Sequence, residues 1–135
     1  DKMKTKNQEV IPMTPTELVI HFFEEGYTNR NYGFVMDCMA EDYIDNSPAA
    51  ARSNADAVGI LKIVAGQYAY LNATVIDAFA EGGMVATRVR FDGLHNESGK
   101  RVSFEALENF KVMNGKIVES WGYWPDKEIE EKLKA

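Results

Sequence analysis

Residues 101–124, RVSFEALENFKVMNGKIVESWGYW, constrain the fold more than any other stretch of the chain. Asn114-Gly115 marks a tight hairpin turn, because both residues tolerate the positive φ that two-residue loops require. Ahead of it, Val102, Phe104, Ala106, Phe110 and Val112 alternate with Ser103, Glu105, Asn109 and Lys111. That is the period of two of a strand with one buried face. Glu108 falls on the buried side of the series and interrupts it. After the turn, strict alternation puts Ile117, Glu119, Trp121 and Tyr123 on one face. Two acids and two large aromatics on one curved hairpin predict the wall of a pocket rather than a filled core.

The chain before the hairpin opens with polar, lysine-rich residues 1–12, expected to be a flexible lead-in to a single domain over 13–135. Thr14, Pro15 and Glu17 form a capping box with proline at the first helical position, and Met13 with Leu18 can staple it. Leu18, Val19, Phe22, Phe23 and Tyr27 then share one helical face, which leaves His21 on a solvated side. A second short helix is predicted over residues 32–39, and an extended segment ends at Pro48. A third helix is predicted from about residue 53 to about residue 70, with Val58, Leu61, Val64, Ala65, Tyr68 and Leu71 in a stripe. Lys62 is its only charge after residue 56, so the helix should be covered on most sides, by its own sheet or also by a second subunit. Strands over 73–80, 84–95 and the two arms of the hairpin follow, and Pro125-Asp126 starts a terminal helix. Helices grouped ahead of an antiparallel meander give an α+β domain with its helices on one sheet face.

Charge and composition narrow the function. A net charge of −6 disfavours a nucleic-acid groove or an anionic membrane surface, which need clustered lysine and arginine. No apolar run approaches the roughly 20 residues that span a bilayer. Cys38, the one cysteine, cannot form an internal disulfide and sits among apolar residues, as an inert core thiol does. The two histidines, His21 and His95, lie on different elements, and neither a glycine-rich phosphate loop nor a nucleophile elbow is present. No cofactor and no metal site is therefore expected. The compartment stays open between the cytoplasm, slightly favoured, and export after loss of a leader.

Three segments taken in order resemble a known family. Glu41-Asp42-Tyr43-Ile44-Asp45-Asn46-Ser47-Pro48 is similar to the acidic–aromatic–aspartate–histidine–proline stretch of SnoaL-like polyketide cyclases. Phe91-Asp92-Gly93-Leu94-His95 is similar to their Gly-x-His strand end. Asn114-Gly115-Lys116-Ile117-Val118-Glu119-Ser120-Trp121 is similar to their turn-and-strand signature. The resemblance covers residues 14–124. It implies the nuclear-transport-factor-2-like fold: a cone-shaped, curved, mostly antiparallel sheet wrapped around three N-terminal helices, enclosing an apolar pocket, and often a homodimer. The chain departs from the pattern where Asn46 replaces a histidine. It departs again where Gly122 and Pro125 stand in positions that hold an acid in many relatives.

Pocket candidates follow from inward parity on the sheet and from the first and third helices: Phe23, Tyr27, Asn46, Tyr68, Phe91, Phe104, Trp121 and Tyr123 as ligand-binding residues, Glu108 and His95 as catalytic ones. A carboxyl facing an apolar cavity has its pKa raised toward neutral, and imidazole titrates there unaided, so either suits proton transfer. A tyrosine hydroxyl would stabilise a developing enolate. The competing reading of Glu108 is an ion pair with Arg88 or Arg90 or a hydrogen bond to a neighbouring strand, that of Glu119 an ion pair with a neighbouring-strand lysine or arginine, that of His95 a structural or solvent-facing strand-end role, and that of Trp121 and Tyr123 core packing alone. Two functions therefore stay open. One is a cofactor-free cyclase, isomerase or dehydratase acting on a small ring-containing carbonyl compound. The other is a non-catalytic domain that binds a small apolar molecule or serves assembly. An outer sheet face carrying Arg88, Arg90, Glu105, Leu107, Asn109, Val118 and Ser120 suits the polar two-fold interface of an expected homodimer and equally suits a solvated surface.

Overall fold

The structure, a computed structural model, describes residues 12–134; the lead-in expected to be flexible falls, Pro12 apart, outside the described residues. Helix α1 spans Pro15–Phe23 and begins as its capping box requires. The Glu17 amide donates to Thr14 Oγ1 at 3.1 Å, and the Thr14 amide donates to Glu17 Oε1 at 2.9 Å. The helix runs on into a π-helical turn, Glu24–Thr28, which carries Tyr27. Then come α2 (Tyr32–Cys38), β1 (Met39–Asp45), α3 (Asn54–Gly66), β2 (Tyr68–Glu81), β3 (Met84–His95), β4 (Arg101–Met113), β5 (Lys116–Tyr123) and α4 (Asp126–Lys134).

The strands form one curved, unclosed sheet in the order β1-β5-β4-β3-β2. β1 runs parallel to β5, and all other neighbours are antiparallel. The expected turn is there: Asn114 and Gly115 have φ of 52° and 75°, the two positive values of a primed hairpin turn. β4 also follows its pattern, with Val102, Phe104, Ala106, Phe110 and Val112 buried.

Two expectations are corrected. Helix α3 ends at Gly66 rather than near residue 70, and β2 starts at Tyr68 rather than at residue 73. The helix end is met by donors that reading one segment at a time does not reveal. Arg30 Nη2 donates to the carbonyls of Ala65 and Tyr68 at 2.9 and 2.7 Å, and Asn96 donates to those of Gly66 and Gln67. Within one chain the sheet covers only one side of α3, and Ile63 is 67% exposed.

The second correction is one of parity on β5. Val112 pairs with Ile117 but Lys111 pairs with Glu119, so Val118 is an extra residue in a β-bulge. Past the bulge the faces exchange. Ser120 and Gly122 follow Ile117 onto the inner face, and Trp121 turns outward opposite Asn109. Similar extra residues at Ala69 and Ile76 bend β2. These kinks curve the sheet around α1 and α3, where Val19, Phe22, Phe23, Leu61, Phe91 and Phe110 form the middle of the core.

Candidate functional site

Between the inner faces of β1, β4 and β5 and the helices α1 and α3 lies a cavity of about 330 Å³. Phe22, Val35, Met39, Leu61, Val64 and Phe110 make its apolar side. Tyr27, Tyr43, Asp45, Glu108, Ser120 and Trp124 supply its polar atoms, and the exposed Pro48, Ala49, Tyr123 and Asp126 mark its mouth.

Glu108 faces this cavity from β4. Its backbone carbonyl accepts a 2.8 Å hydrogen bond from Thr87 on β3, and its Oε2 accepts one of 2.9 Å from Trp124 Nε1. Protein surrounds the carboxyl apart from the cavity itself. Desolvation therefore pushes its pKa up to about 7; the Trp124 donor opposes that shift and the negative charge of Asp45 adds to it. Gly122 stands directly opposite on β5, and a Cβ there would come within 3.3 Å of Glu108 Cγ, Cδ and Oε1. The carboxyl thus occupies the space that a side chain at 122 would fill. The alternative ion pairs do not form: Arg88 holds Asp77 and Glu105, and Arg90 holds Asp92.

Tyr27 lines the cavity from the π-helical turn, its ring 5.9 Å from that of Trp124 and 5.0 Å from that of Phe91. Burial first, then the charge of Glu108, raises its pKa well above the usual phenol value, so it stays a neutral donor; its hydroxyl has no protein partner among the described residues. Tyr43 is hydrogen-bonded to Ser120, and burial raises its pKa too. Asp45 is held by Ser47, whose amide and hydroxyl donate to its two carboxylate oxygens at 2.8 and 2.7 Å.

Of the residues expected from the sequence, Glu108, Tyr27 and Tyr123 line the cavity and the others do not. Phe23, Phe91 and Phe104 lie behind its wall, almost wholly buried and packed on Tyr27 and Trp124. Asn46 ties β1 to β5 instead of facing inward: its amide and Nδ2 both donate to the Ser120 carbonyl, and Nδ2 also donates to Glu119. Glu119 therefore takes its partner from Asn46 rather than from a lysine or arginine. Trp121 is turned outward by the bulge. Tyr68 and His95 pair with each other at the far end of the β2–β3 ladder. Thr87, not His95, is opposite Glu108, and eight residues of strand separate the two, roughly 27 Å at 3.4 Å each. His95 Nδ1 there accepts the Ser98 amide at 3.2 Å and bonds its hydroxyl at 2.9 Å.

Trp124, Tyr43, Asp45 and Ser120 were not among the sequence candidates. Trp124 and Ser120 are shifted into view by the bulge, which strict alternation cannot anticipate. Tyr43 and Asp45 do lie in the motif segment 41–48 and alternate inward along β1, a signal the sequence did offer. Cys38 is a buried thiol among apolar residues, and desolvation pushes its pKa up to about 12. No group of three or more histidine, cysteine, aspartate or glutamate side chains among the described residues is placed to hold a metal ion.

A curved sheet wrapped on three helices, with a cavity entered between helix and sheet, defines the nuclear-transport-factor-2-like class of α+β domains. The chain belongs within that class to the SnoaL-like polyketide cyclase family, whose profile matches residues 17–133. IdmH of Streptomyces antibioticus is similar in structure with a TM-score of 0.83 at 20% identity, over 91% of this chain and 100% of its own. TsrD of Streptomyces laurentii gives 0.80 at 18%, over 92% and 98%. A SnoaL-like protein of Jannaschia sp. CCS1 gives 0.82 at 16%, over 97% and 99%. At such identities the likeness is one of fold. No curated protein matches the chain.

Proposed function

We propose that the protein is a cofactor-free enzyme that moves a proton beside the carbonyl of a small, apolar, ring-containing compound, in the manner of a cyclase, isomerase or dehydratase. The observation that carries this reading is the Glu108 carboxyl, turned into the cavity with Oε2 held by Trp124 and a pKa near 7. A carboxyl that is close to half ionised at neutral pH can both take a proton and return it. The neutral Tyr27 hydroxyl is free to hydrogen-bond an enolate oxygen as charge develops there. The apolar wall from α1 and α3 would hold the ring and exclude water.

Exchange of carbon-bound hydrogen tests the proton transfer without the natural substrate. With 1-tetralone in deuterated buffer, the protein should accelerate deuterium uptake beside the carbonyl by about a hundredfold or more. Glu108→Gln should return the rate to that of buffer. Ligand holding without chemistry, the reading favoured by an Asn46 engaged between strands and a Gly122 without a side chain, requires that 1-tetralone bind with no exchange.

A further inference from the structure

Among the described residues the cavity lining includes no lysine, arginine or histidine, yet it includes the carboxyls of Asp45, Glu108 and Asp126. Its aromatic members, Tyr27, Tyr43, Tyr123 and Trp124, add no positive charge either. An anionic ligand would meet carboxylates and low-dielectric walls without a counter-charge, which costs too much to be offset by apolar contact. A protonated amine would meet the reverse situation, since carboxylates and aromatic rings both attract it. The two inner carboxyls differ in how they are held. Asp45 is fixed by two donors from Ser47 at the loop that forms the mouth. Glu108 lies deeper, with one oxygen held and the other, Oε1, without a protein partner among the described residues. Tyr27, whose hydroxyl is unpartnered among the described residues, and Glu108, whose Oε1 is likewise unpartnered among them, both line the same cavity.

We infer that the ligand of this cavity carries a basic nitrogen as well as its apolar ring, with Asp45 as the counter-ion for that nitrogen and Glu108 left free for proton transfer. The inference rests on the reading of the cavity as a ligand site given above, and it divides the labour between two carboxyls by their surroundings. It excludes free carboxylic acids, phosphate esters and acyl carriers that bring a phosphate into the cavity.

A matched set of probes with one hydrocarbon cage tests it: 1-aminoadamantane, 1-adamantanol and adamantane-1-carboxylate, titrated calorimetrically against the full chain at low salt. The amine should bind at least tenfold more tightly than the alcohol, and the carboxylate should show no binding at millimolar concentration. Asp45→Asn should bring the amine to within about threefold of the alcohol, and retained alcohol binding would show that the variant is folded. Equal binding of amine and alcohol to the wild-type chain, or tighter binding of the carboxylate, overturns the inference whatever the variant does. Tetralone exchange is read separately. Exchange without amine preference removes this inference alone, and amine preference without exchange supports the pairing of Asp45 with a basic nitrogen while removing the proton-transfer reading and with it the role given to Glu108.

Discussion

Two neighbouring strands and a tryptophan determine where the Glu108 carboxyl sits. Thr87 on β3 holds the backbone behind it, Gly122 on β5 leaves the space for it, and Trp124 beyond β5 orients one oxygen. The arrangement has a stability consequence whose sign is fixed. The folded-state pKa of about 7 lies above the ordinary 4.5. The contribution of Glu108 to stability is therefore full below pH 4.5 and is lost as pH rises through 7, where the buried carboxyl must ionise. Glu108→Gln keeps the shape and cannot ionise. Thermal melts should show wild type losing ground to this variant between pH 4.5 and 8.5, by at most on the order of 3 kcal/mol. Parallel midpoint curves across that range would mean that Glu108 titrates as an exposed carboxyl. Reading the sequence places Glu108 on the inner face because five apolar residues of β4 fix the parity around it. It cannot show that its partner is Trp124 rather than Arg88 or Arg90, because partners are chosen across strands.

At the scale of elements, what a segment does by itself is readable and what its neighbours do to it is not. The capping box of α1 and the Asn114-Gly115 turn are local devices, and both stand where the sequence puts them. The end of α3 is set by Arg30 and Asn96, residues far off in the chain, and its helical pattern runs on past the true end. The bulge at Val118 is the costliest omission. Nothing in KIVESW distinguishes an extra β-branched residue from a paired one, yet the bulge decides that Trp121 faces out and Ser120 in. Deleting Val118 should remove the bulge and leave the faces as they are, because Ile117 and Glu119 would then follow one another opposite Val112 and Lys111, with Ser120 and Gly122 still inward and Trp121 still outward. The variant should therefore keep a cooperative thermal transition and the near-ultraviolet dichroism of wild type, losing only the local bend that the extra residue adds. A deletion variant without a cooperative transition would show that the bend at Val118, and not the register alone, is needed to close β5 on the core.

Across the whole molecule, the same bulge shapes the surface opposite the cavity. Ser120 is withdrawn from the outer face where parity had placed it, and Trp121 stands there instead, in a cross-strand row with Asn109, Ala86 and Phe79. The adjacent row holds Tyr123, Leu107, Arg88 and Asp77. Phe79 is 72% exposed and Leu107 56%, beside an arginine held between Asp77 and Glu105. Large apolar side chains in two neighbouring rows, edged by balanced charge, make a surface that a two-fold partner could cover with the same surface of its own. On this basis we propose a homodimer through the sheet, and it should weigh twice the 15.2 kDa chain in light scattering at micromolar concentration. Leu107→Glu with Trp121→Glu should halve that mass, and wild type should melt at higher temperature as concentration rises, as linked assembly requires. A wild-type mass of one subunit removes the dimer. Because β4 and β5 carry Glu108 and Gly122 inward and Leu107 and Trp121 outward, a dimer would brace the very strands that hold the carboxyl. The doubly charged variant should then bind 1-tetralone more weakly than wild type, although neither substituted side chain lines the cavity.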